Sequence, residues 1–98
     1  RAVEISGGRF LAVSDDEILD AMRLLGRTEG VFSEPAGVTA TAGVKAAVAK
    51  GIIKQHESVT VVSTGSGLKD VKNAMLAAGE PFKCEPDIKA LEASGRIR

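Results

Sequence analysis

Val59-Thr60-Val61-Val62-Ser63-Thr64-Gly65-Ser66-Gly67-Leu68-Lys69-Asp70 is a β-branched run that empties into a glycine-rich turn and then a helix start. A strand, a tight turn with two glycines and a helix start together set a hydroxyl and bare backbone amides at the carboxyl end of a sheet, where open α/β folds bind ligands. The apolar character from Ser58 to Ser63 suits a central parallel strand with helices on both faces. Asp70 is placed to cap a helix that runs through Ala78 and is closed by Gly79.

Upstream, Arg9-Phe10-Leu11-Ala12-Val13 reads as a short buried strand. Ser14 followed by Glu17 is a capping box that opens a helix. Ile18, Ala21, Met22 and Leu25 then fall on one apolar stripe, and Gly26 is the expected stop. Val31-Phe32 is too short to stand as a firm strand. Glu34-Pro35-Ala36-Gly37 starts a second helix with proline in its first turn, running to Lys50 with Gly51 beyond it. From Ala36 to Ala49 nearly every residue is Ala, Gly, Val or Thr, and a helix so apolar on most sides is normally buried. At the start, Ala2-Val3-Glu4-Ile5-Ser6 meets Gly7-Gly8, which either turns a hairpin or stops a helix; local sequence leaves both open. After Pro81 the pattern weakens, although Ile88 and Leu91 suit one or two last helical turns.

The order strand, helix, short strand, helix, strand, helix gives an α/β class: an open, mostly parallel sheet flanked by helices. Residues 1–98 read as a single unit with a carboxyl-terminal tail over 80–98. The segment from Gly79 to Pro86 resembles a linker without marking a domain boundary.

Composition narrows the function. The 98 residues include 13 basic and 13 acidic side chains, which cancel, and no cluster of Lys and Arg interleaved with aromatics, so nucleic acid is not an expected partner. No apolar run approaches a membrane span and nothing at the start reads as a signal peptide, so a soluble, cytoplasmic protein is expected. The one cysteine, Cys84, has no partner for an internal disulfide and no metal-ligand spacing around it. Three Phe and no Trp or Tyr leave Ala, Gly and Val to build the core. Such cores bury little area per residue, the character of part of a larger body.

Ser33-Glu34-Pro35-Ala36-Gly37, the small-residue helix after it and Ser63-Thr64-Gly65-Ser66-Gly67-Leu68-Lys69-Asp70 together resemble the carboxyl-terminal part of the threonine synthase family, pyridoxal-phosphate enzymes of the tryptophan-synthase-β fold (fold type II). Val3 to Leu25, with Ser6-Gly7-Gly8 and Ser14-Asp15-Asp16-Glu17-Ile18-Leu19, resembles the segment just upstream, so the likeness runs from about Arg1 to Val71. Order and spacing carry it, since each motif alone is common. The resemblance implies that the opening residues finish a helix and that Arg1 lies inside an element of a longer chain. It also implies the family's reaction, in which O-phosphohomoserine and water give threonine and phosphate on a pyridoxal phosphate held as a Schiff base to a lysine. That lysine and the cofactor-phosphate loop are expected upstream of these residues, so no catalytic residue is expected here and this chain by itself should be inactive. The expected partners are the remainder of the polypeptide, the small-molecule substrate, and a second copy in a homodimer of the full enzyme.

The site residues come from the same resemblance. Thr64 is similar to the family's hydroxyl at the pyridine nitrogen; a neutral hydroxyl donates a hydrogen bond without forming an ion pair, which makes the ring a weaker electron sink than a carboxylate would. The plainer reading of Thr64 is a turn hydroxyl bonded to its own backbone. Gly65 and Gly67 would let the backbone lie close to the ring. Glu34 stands either at the cofactor cleft or as a first-turn acid favoured by the helix dipole. Lys69 is assigned a structural or surface role, because an unburied lysine is a poor nucleophile. His56, among Lys54, Gln55 and Glu57, has the setting of an exposed loop histidine, and Lys45 and Lys50 mark the solvent-facing or terminal edge of their helix. Sibling fold-type II enzymes, including cysteate synthase and the threonine and serine dehydratases, share parts of these signals. A different class of reading is a small non-catalytic α/β module that binds an anion or a partner through the turn from Thr64 to Asp70.

Overall fold

The computed structural model describes residues 1–96, and the last two residues of the expected tail, Ile97 and Arg98, lie outside them. Five helices and one 3-10 turn make up its regular structure: α1 (Ala2–Ile5), α2 (Asp15–Glu29), α3 (Pro35–Ala49), the 3-10 turn Gly67–Lys69, α4 (Val71–Ala78) and α5 (Ile88–Ala93).

Local chemistry sets most of the boundaries. Ser14 and Glu17 form the full capping box at α2: the Glu17 N–H donates to Ser14 Oγ at 3.2 Å and the Ser14 N–H donates to Glu17 Oε2 at 2.7 Å. This occupies two amides that the first helical turn leaves unpaired. Helix α2 then runs through Gly26, the expected stop, and ends at Gly30, whose φ of 67° only glycine adopts at no steric cost. A glycine with ordinary helical dihedrals merely weakens a helix, whereas one at positive φ ends it. Pro35 opens α3 at its first turn, and Gly51 lies beyond its Lys50 cap with φ 66°. At the amino end, the Gly8 N–H donates to Val3 O at 2.8 Å and Gly7 sits at φ 67°, so the glycine pair closes a helix rather than turning a hairpin. Asp70 caps α4 as expected.

The core lies where α2, α3 and α4 meet. Ala21 and Met22 from α2, Val38 and Ala42 from α3 and Ala77 from α4 are buried together, with Val13, Ile18, Leu19, Leu25 and Ala74 packed around them. The stripe of Ile18, Ala21, Met22 and Leu25 thus faces inward. Arg23 ties α2 to the last turn of α4 through two main-chain oxygens.

Two expectations need correction. No β-ladder forms among the described residues, so they do not themselves build the open, mostly parallel sheet; Ser33 and Ser66 make an isolated antiparallel bridge instead. Residues 57–64 and 7–14 carry neither helix nor strand. The physical reason is that a strand's hydrogen bonds come from its neighbours, and no described segment forms a ladder with the valine run. Val59, Val61 and Val62 are accordingly exposed, as are Phe10 and Leu11. Second, α3 is buried along one face only: Gly37, Val38, Ala42 and Ala47 are covered, while Ala40 and Val48 are open.

Both corrections have one cause. The exposed surface is 7811 Å², against about 5,300 Å² for a folded monomer of 10.1 kDa. The radius of gyration is 17.8 Å, against about 13 Å for a compact domain of this length. Small side chains and a three-helix core leave many large apolar side chains uncovered.

Candidate functional site

The start of α3 and the glycine turn are joined by hydrogen bonds across the chain. The Glu34 N–H donates to Gly65 O at 2.9 Å, and the Gly67 N–H donates to Phe32 O at 3.1 Å. Ser33, only 2% exposed, sends its hydroxyl to the same Gly65 oxygen at 2.6 Å. Ser33 is a functional part of this crossing that reading the sequence did not single out; its position just before Glu-Pro-Ala-Gly was the one available signal.

Glycine is required at the crossing because the two segments touch. A Cβ on Gly37 would collide with Ser33 Oγ and stand 3.0 Å from the Gly65 nitrogen and 3.2 Å from the Thr64 nitrogen. On Gly65 it would run into the Glu34 carboxylate, and on Gly67 it would lie 2.5 Å from the Phe32 ring. On the Cβ side, the space at Gly65 and Gly67 is filled by this chain's own Glu34 and Phe32.

Beyond the crossing, the Ser66 hydroxyl accepts from the Leu68 N–H at 3.3 Å, which shapes the 3-10 turn. Asp70 accepts the Asn73 N–H at 3.1 Å on one oxygen and the Asn73 side-chain amide at 2.7 Å on the other. The Asn73 side chain, then its backbone amide, hold the Asp70 carboxyl below the ordinary aspartate range. The turn leaves Lys69 facing back toward α3, with Nζ 3.6 Å from Glu34 Oε1. The Glu34 side chain is 19% exposed, that of Lys69 68%. Glu34 makes no side-chain bond to its own helix, so its carboxylate does not act as a cap.

Thr64 is exposed at the rim of this arrangement, and its hydroxyl bonds no described residue, unlike the capping oxygens of Ser66 and Asp70. Four of the expected positions, Glu34, Thr64, Gly65 and Gly67, thus lie together. Among the described residues His56 and Cys84 are exposed and apart, and no group of His, Cys, Asp or Glu could hold a metal ion. No helix among them is long and apolar enough to cross a membrane. Thr64 thus presents a neutral hydroxyl, able to donate or accept, on a main chain held by three hydrogen bonds to Phe32, Ser33 and Glu34.

Known proteins extend the match well beyond this turn. Threonine synthase of Methanocaldococcus jannaschii is 44% identical over 91 residues, 93% of this chain and 22% of that protein. Threonine synthase of Bacillus sp. (strain ULM1) is 54% identical over 69 residues, covering 70% and 20%. Threonine synthase of Methanosarcina acetivorans is 37% identical over 90 residues, covering 92% and 22%. The chain therefore spans about a fifth of the length of the curated relatives it matches. The family described as pyridoxal-phosphate dependent enzyme matches residues 1–65, which takes in the capping box, α3 and the turn as far as Gly65. With two thirds of its residues inside that match, the chain belongs to the pyridoxal-phosphate dependent enzyme family.

Proposed function

We propose that this chain is the carboxyl-terminal part of a threonine synthase, which converts O-phosphohomoserine and water into threonine and phosphate in the cytoplasm as a homodimer. The observation that carries the reading is the match to threonine synthases at 37–54% identity over 69 to 91 residues. In this reading residues 1–98 complete the large cofactor-binding domain, with 80–98 as its tail, and the Schiff-base lysine is supplied by the remainder of the polypeptide.

Pyridoxal phosphate, when bound, supplies an electron-withdrawing ring that stabilises negative charge on the substrate carbon beside the amino group. This chain's part is to hold that ring and set how strongly it withdraws. Thr64 would donate its free hydroxyl to the ring nitrogen. A neutral donor leaves the nitrogen without an ion-pair partner and keeps the sink weaker than a carboxylate would. Glu34 would line the cleft, and Gly65 and Gly67 fix the main chain around Thr64. The exposed valines of residues 59–62 and the open face of α3 supply apolar surface for the rest of the domain to cover.

The test is made on the complete polypeptide. Its absorbance in the Schiff-base band and phosphate release from O-phosphohomoserine are measured together. A band with release supports the reading; a band without release points to a sibling enzyme; neither band nor release ends it.

A further inference from the structure

We propose that Lys69 is a positioning residue that clamps the Glu34 carboxylate over Gly65 and so holds the glycine turn, with Thr64 in it, against the start of α3. The inference deepens the proposed function and rests on it for the cofactor, but the clamp itself is a property of this chain.

Three independent observations converge on it. The Glu34 carboxylate fills the space where a Gly65 side chain would be, so its direction is decided by something other than helix capping, which it does not perform. Lys69 Nζ is its ionic partner, 3.6 Å from Oε1. Lys69 sits where it does because the 3-10 turn, set by the Ser66 hydroxyl and closed by the Asp70 N–H donating to Gly67 O, folds the chain back on itself. The pair therefore bridges the same two segments that the Ser33, Glu34 and Gly67 hydrogen bonds join, 35 residues apart in sequence at its own ends and adjacent in space.

The consequence for the site is directional. An unpaired carboxylate that is four-fifths covered turns out toward water, and the space over Gly65 would then be vacated beside Thr64. With Lys69 in place the carboxylate stays and its charge is balanced, so the neighbouring hydroxyl keeps one orientation relative to α3. Lysine is suited to this as a compact charge at the end of a flexible stem, which reaches across the turn while most of it stays in water.

The test uses the full-length enzyme with Lys69→Met, Lys69→Arg, Glu34→Gln and the double variant Glu34→Gln/Lys69→Met. In the cofactor-free protein, amide exchange at Glu34 and Gly67 should quicken about two- to fivefold in Lys69→Met, the range a partly exposed ion pair supports, and should be restored by Lys69→Arg. Titration with pyridoxal phosphate should show weaker binding in each single variant, with the double variant no weaker than the worse single. Unchanged exchange in Lys69→Met, or additive losses in the double variant, would overturn the clamp. If exchange quickens but pyridoxal phosphate does not bind even the unaltered protein, the clamp stands and the cofactor reading falls instead.

Discussion

Arg23 Nε donates to the main-chain oxygen of Ala77 at 2.7 Å, and Nη2 of the same guanidinium donates to Leu76 O at 3.1 Å. One side chain from the middle of α2 thus satisfies two carbonyls that the end of α4 leaves without intrahelical partners. It also brings positive charge to the negative end of that helix. Its Nη1 is meanwhile held by Asp20 at 2.6 Å, which fixes the fork in place.

Replacing Arg23 by Met should therefore cost about 1–2 kcal/mol in denaturant unfolding, since two charge-assisted bonds are lost while the aliphatic stem is kept. Lys should recover little, because a point charge does not span both oxygens. Equal stability of the three proteins would contradict the tie between α2 and α4.

Two glycines of α3 should respond to alanine with opposite signs. Gly37→Ala drives a methyl group against Ser33 Oγ and the Thr64 and Gly65 amides, so it should destabilise by about 2 kcal/mol or more and open the crossing. Gly43 has nothing within 4 Å of an added Cβ among the described residues. Gly43→Ala in this chain should stabilise α3 by about 0.5–1 kcal/mol through backbone entropy alone. Thermal unfolding of the pair separates steric from entropic glycines.

Acid should fray the amino ends of α2 and α4 before the core. The Ser14 backbone amide, then its hydroxyl, hold Glu17 below the ordinary glutamate range, and Asn73 does the same for Asp70. A carboxyl whose folded value is depressed contributes stability above its unfolded value, about 4.3 for Glu and 3.9 for Asp. That contribution fades as pH falls through the folded values. Nuclear magnetic resonance titration should show the Ser14 and Asn73 amides shifting below about pH 4, and Glu17→Gln should abolish the response at Ser14 alone.

Under the proposed function, Thr64→Ala in the full enzyme should lower turnover roughly tenfold, the worth of one buried hydrogen bond of about 1.4 kcal/mol. Thr64→Asp should instead raise the proton affinity of the cofactor nitrogen and add side products. Unchanged kinetics and product ratios in both would remove Thr64 from the site.

Features written in local chemistry were legible in the sequence. Ser14 with Glu17, Asp70 and Gly79 declare their helix ends because the groups they bond lie within four residues, and Pro35 declares one because a first-turn residue has no use for an N–H. The stripe from Ile18 to Leu25 declared its buried face through its helical period. Gly26 misled because a glycine in a helical run does not by itself take positive φ, and here it is Gly30 that makes the turn. The valine run misled further, since β-propensity says that a segment suits a sheet and nothing about whether a partner strand is present. At the site, Thr64 and Glu34 were legible only as members of a motif. The parts played by Ser33, Phe32 and Lys69 come from contacts between residues 32 to 35 positions apart, and no local pattern encodes them.

The crossing of Ser33 with Gly65 gathers the ends of a long excursion, out along α3 and home through residues 50–64. Fifteen helical residues carry the bend at Gly51 roughly 22 Å from that staple. Lengthening the bend would change the excursion's reach without loosening its root, so descendants of this sequence have a tolerant place for inserted residues at the far end, and almost none between Phe32 and Gly37.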